Sequence, residues 1–68
     1  LPDIQDSINE FITKVNRDMK TTFEDIISDG TYEDAIAYFL ALLETVRWGI
    51  VSATQKDMDS SIRIEKNE

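Results

Sequence analysis

TYEDAIAYFLALLETVRWG, residues 31–49, opens on a hydroxyl side chain, closes on a glycine and keeps apolar residues at helical spacing in between. Thr31 is suited to accept a backbone N–H as an N-cap, and Glu33 and Asp34 put negative charge at the positive end of the helix dipole. Arg47 sits in the last turn, where a cation is favoured, and Gly49 can take the left-handed conformation that closes a helix. The stretch therefore predicts one long helix running to about Trp48. At 100° per residue, Tyr38, Leu42, Ala35, Val46, Phe39, Leu43, Ile36 and Leu40 cover an arc of roughly 200°. That is wider than a helix at the edge of a small core buries. Either the whole arc is core, covered by a neighbouring helix and a hairpin, or one edge stays exposed and docks on another protein. Ala37, Ala41 and Thr45 fall on the remaining, nominally outer side, and are small enough to admit close packing.

Upstream, Phe23, Ile26 and Ile27 have helical spacing, with Thr22 and Asp25 set as a capping pair. This predicts a short helix over 23–28, ended by Asp29 and a left-handed Gly30. Residues 20–22, with two adjacent β-branched threonines, form a brief extended step. Before it, Ile4, Ile8, Phe11, Ile12, Val15 and Met19 share one face of an amphipathic helix that starts near Pro2 and Asp3. Its other side carries Gln5, Asn9, Lys14 and Arg17, read as a solvated face. Downstream of Gly49, residues 50–53 and 61–65 are β-patterned, and the polar stretch 54–60 has the length of a hairpin loop. Ile62 and Ile64 alternate with polar residues, the period of a half-buried strand, and the chain frays from Lys66. The order is that of a winged-helix domain: mainly α, three helices plus a small β-hairpin wing. Residues 1–68 are expected to form a single domain of a longer chain.

Sixty-eight residues support one core and leave no room for a cleft between domains. Cysteine and histidine are both absent, so disulfides, thiolate chemistry, imidazole bases and the common zinc sites are excluded. Fourteen acidic against seven basic residues give a formal charge of −7, which repels phosphate backbones and anionic lipid and favours a basic protein surface as partner. The longest apolar run, 35–43, is too short to span a bilayer, and the chain reads as soluble. A DNA-reading helix would meet phosphates with Glu33 and Asp34, and the wing offers only Lys56 against Asp57 and Asp59. Asp57, Asp59, Ser61, Glu65 and Glu68 have a calcium-loop spacing, but Ile62 stands where that loop needs glycine. Asp25 with Asp29, and Glu33 with Asp34, are carboxylate pairs with simpler roles as caps and turn formers. No catalytic, metal or cofactor site is expected. Trp48 serves as a lid on the core or as a contact anchor, and the run around Ile62 and Ile64 could add to another sheet through its edge.

Phe39-Leu40-Ala41-Leu42-Leu43-Glu44, followed by Val46, Gly49-Ile50-Val51, Gln55 and Ile62, resembles the C-terminal winged-helix domain of bacterial segregation and condensation protein A, a kleisin family. The similarity runs from about residue 22 to residue 64. Asp59 and Ser60 replace the aromatic residue and glycine usual ahead of the final isoleucine, with Met58 the nearest apolar side chain. The resemblance implies a cytoplasmic, nucleoid-associated protein of chromosome condensation and segregation. Its C-terminal domain would bind the ATPase head of an SMC protein and help close the SMC ring, while segregation and condensation protein B would be recruited by a part of the full-length protein absent here. Phe39 and Leu43 match helix positions associated with SMC contact, although the apolar arc also places them among core candidates. The candidate contact set is Tyr38, Phe39, Leu42, Leu43, Ile62 and Ile64, with no direct nucleic-acid or membrane contact. The alternative is a winged-helix DNA-binding transcriptional regulator.

Overall fold

In a computed structural model that describes residues 3–28 and 30–67, the first helix, α1, spans Ile4–Asp18. Its N-cap is Asp3, whose carboxylate accepts the backbone N–H of Gln5 at 2.8 Å. Pro2, Asp29 and Glu68, which the sequence reading used in a helix start, a turn and a calcium-like spacing, lie outside the described residues. Helix α1 ends at Met19, which adopts φ 64° while its N–H donates to the Val15 carbonyl. Met19 therefore turns the chain out of the helix and is half-exposed instead of continuing the apolar face. This positive φ in a non-glycine residue is held from the other side, because Lys66 N–H donates to the Met19 carbonyl at 3.0 Å.

The extended step is strand β1 (Lys20–Thr22), followed directly by α2 (Phe23–Ile26), which is one turn long and ends before the predicted residue 28. Thr22 caps it as expected by accepting from Asp25 N–H at 3.1 Å. Gly30 does not take the left-handed conformation expected of it. Its role is close approach: a Cβ there would lie 3.1 Å from Cβ of Asp34, whose carboxylate folds back to accept the N–H of Thr31. Thr31 Oγ1 in turn accepts from Asp34 N–H at 3.2 Å, so the two residues form a reciprocal capping box.

Helix α3 (Tyr32–Arg47) ends on Gly49, at φ 78°. Gly49 N–H donates to Val46 and Ile50 N–H to Thr45, the paired bonds of a Schellman cap. Strands β2 (Val51–Thr54) and β3 (Arg63–Lys66) form the wing, shifted by one and two residues from the predicted runs. Lys66 is not frayed, since it pairs with Val51 and is tied to Met19. The sheet is three-stranded and antiparallel with the order β1-β3-β2. Ile64, at its centre, faces Thr21 on one side and Ala53 on the other. The domain is thus mainly α, with three helices and a small β wing among the described residues. Its core joins Ile8, Phe11 and Val15 of α1 to Phe23 and Ile26, to Tyr38, Ala41 and Leu42, and to Val51 and Ile64 of the sheet. Among the described residues, no helix is long and apolar enough to cross a membrane.

Candidate docking surface

Helix α3 meets the core on its small-residue side, which reverses the expected orientation. Ala37, Ala41 and Thr45 are buried together with Tyr38 and Leu42, whereas Ile36, Phe39, Leu40, Leu43 and Val46 are exposed. The physical reason is reach. Spacing of small residues at i, i+4 and i+8 makes a shallow face on which α1 can lie close, filling the gap with Phe11 and Val15. Burying Thr45 leaves no polar group unsatisfied, because its hydroxyl reaches the Ala41 and Leu42 carbonyls at 2.9 and 3.0 Å. The wide apolar arc is therefore split. Only its edge at Tyr38 and Leu42 is core, Ala35 is half-buried, and the larger side chains of the remainder face outward.

Enlarging the small face should be costly. Ala41 has no exposed surface, so Ala41→Leu is expected to destabilise the domain by about 1–3 kcal/mol through overpacking, although it adds apolar area. Urea titration measures this directly. An unchanged or raised midpoint would mean that α1 and α3 are not in close contact at this position.

Three of the candidate contact residues are corrected by this arrangement. Tyr38 is 7% exposed and its hydroxyl donates to Glu10 Oε2 at 2.6 Å, so it links α3 to α1. Leu42 and Ile64 are 3% and 1% exposed and belong to the core. They are inaccessible because each lies on the inner side of its element. Ile62 is half-buried against the core; its N–H donates to Glu24 Oε1 and its carbonyl accepts from Phe23 N–H. Phe39 and Leu43 are 42% and 50% exposed, which resolves the conflict between core and surface in favour of the surface.

Edge addition through the run around Ile62 and Ile64 is also corrected, because β3 is the central strand and is paired on both sides. The sequence showed the threonine step but not its pairing, since a strand of three residues acquires its partner only through tertiary contact. Lys14 is more than a solvated residue: its Nζ donates to the Ile26 carbonyl at 3.2 Å and stands 5.0 Å from the centre of the Tyr38 ring. It secures the end of α2 against α1 and α3.

The outward stripe runs Tyr32, Ile36, Phe39, Leu40, Leu43 and Val46, the i, i+4, i+7/8, i+11 rhythm of one helix face over the length of α3. Phe39 is oriented by an edge-to-face contact with Phe23, ring centres 5.8 Å apart. Trp48 is half-exposed at the C-cap and is not among the residues packed against the core cluster. On the wing, Met58 is 94% exposed at the tip of a loop braced by Asp57, which accepts from Asp59 N–H and Ser60 Oγ. Asp57 acts here as a turn former, and Asp34 as a cap. Among the described residues, no three acidic side chains are grouped so as to hold a metal ion.

The surface is thus a helix carrying an apolar face that no element among the described residues covers. Comparison with protein-family models and with curated proteins gives no match for the chain.

Proposed function

We propose that this domain is a protein-docking module that acts as the head-binding winged-helix domain of a bacterial kleisin. It would dock on an SMC ATPase head and help close the SMC ring in chromosome condensation and segregation. The observation that carries the reading is the outward apolar stripe of α3, centred on Phe39, Leu40 and Leu43. An exposed row of large side chains on a capped helix leaves hydrophobic surface unburied in the free domain, and a groove on a partner removes it from water. The same residues lie in the 39–44 segment that resembles the kleisin helix, so chemistry and resemblance converge on one face. In this reading the domain does no chemistry of its own and affects ATP turnover only through its partner. Segregation and condensation protein B would join through another part of the full-length protein, and the site of action would be the nucleoid in the cytoplasm.

A DNA-binding regulator is the competing use of such a fold. The first turn of α3 disfavours it, because Glu33 and Asp34 occupy the end that a recognition helix presents to bases and phosphates. Titration of the domain into a purified SMC ATPase head, with a DNA duplex in parallel, separates the two. The expected result is saturable binding to the head and none to the duplex. Duplex binding that weakens steeply with salt, with no binding to the head, would replace this reading with the regulator.

A further inference from the structure

The few cations of this acidic chain are unevenly placed. Of its seven Lys and Arg, Lys14, Arg17, Lys20, Arg63 and Lys66 sit at the end of α1 and on β1 and β3. They line grooves there beside carboxylates: Lys14 and Arg17 with Asp18 and Asp25, and Lys20 with Arg63, Lys66 and Glu65. The outward stripe of α3 has a different border. Glu33 lies one turn before Ile36 and Glu44 one turn after Leu40, on the same edge of the helix. Arg47, the only cation of α3, is drawn to Glu44 at 3.4 Å. At the other edge, Phe39 meets Phe23, and the exposed Glu24, whose carboxylate accepts the Ile62 N–H, follows directly in the chain.

We infer that the surface covering α3 is an apolar groove with a lysine- and arginine-bearing rim, belonging to a different protein and not to a second copy of this chain. Two copies meeting through this face would bring like-charged rims together and bury them near a formal charge of −7 each, which opposes closure. A cationic rim instead gains from the same geometry. It aligns the stripe before contact, and the apolar residues then hold the complex. The inference rests on the docking role of α3 but not on the identity of the partner as an SMC head.

Two helical-hairpin peptides test it, both with a leucine-lined groove between their helices, one rimmed by lysines and the other by glutamates. The lysine peptide is expected to bind and the glutamate peptide to bind at least about tenfold more weakly at low salt. Leu43→Ser should reduce the lysine-peptide affinity at least about tenfold, with Leu40→Ser as the second variant should the first fail to fold. Glu44→Gln should weaken binding more than Glu65→Gln, which removes the same charge from β3. Sedimentation should show monomers at low salt. Equal binding of the two peptides, binding of neither, indifference to Leu43→Ser and Leu40→Ser, equal effects of the two glutamine variants, or dimers at low salt would each overturn the inference. The SMC head serves as a separate arm. If the head fails to bind while the lysine peptide binds as expected, the kleisin reading falls and the inference stands. If the head binds while the peptides behave otherwise, only the inference falls.

Discussion

Leu43→Arg is expected to weaken binding to the SMC head by about 2–4 kcal/mol while leaving the folded domain intact. The loss follows from placing a long charged side chain at the middle of an apolar contact, where its desolvation has no compensating partner. A cationic rim on the partner would add repulsion. The fold should survive because Leu43 is half-exposed and points away from α1, and because arginine is nearly as favourable in a helix as leucine. Two measurements are needed: the head titration and a thermal melt followed by circular dichroism. A melting temperature within a few degrees of the parent with unchanged head binding would remove α3 from the docking surface. A large fall in melting temperature would show that Leu43 is packed inside the domain.

Phe11→Ala is expected to do the opposite, collapsing stability before any effect on binding can be read. The Phe11 side chain has no exposed surface and belongs to the cluster shared by all three helices and the sheet. Truncating a buried phenylalanine costs about 3–5 kcal/mol, from lost transfer energy and from the cavity left behind. A domain of this length has a total stability of about 3–10 kcal/mol, so much of the population would unfold. The melting temperature should fall by about 20 °C or more. A shift of only a few degrees would mean that the core is not assembled around α1 as described. Together the two substitutions separate the residues that hold the domain together from those available to a partner.

Much of the fold was legible locally. The caps at Asp3, Thr22 and Thr31 were visible as side chains that can take up orphan backbone N–H groups, and Gly49 was visible as a residue free to adopt positive φ. Helical periodicity placed Ile8, Phe11 and Val15 on one face, and that face is core. Gly30 misled because its absent Cβ serves the fold of Asp34 over the turn and not an unusual backbone angle.

The candidate site was legible as a segment but not as a face. Residues 39–44 drew attention through their apolar content and their resemblance to a kleisin helix. Tyr38 and Leu42 stood beside Phe39 and Leu43 with nothing in periodicity to part them. The stripe of Ala37, Ala41 and Thr45 was the available signal, since small residues at every fourth position suit close approach of another helix, yet by hydropathy it reads as the weaker face.

The sequence by itself determined where the helices start and where α3 stops, that a wing follows them, and that the chain carries strong negative charge, because these depend on side chains and their near neighbours. Only the tertiary structure decided which side of α3 turns inward and that β1 completes the sheet by making β3 its central strand. Both depend on residues distant in the chain: Phe11 and Val15 share one buried cluster with Ala41 of α3, and Thr21 is brought opposite Ile64. Packing selects the face that lets helices approach, and it leaves the larger apolar side chains of α3 outward for a partner to cover.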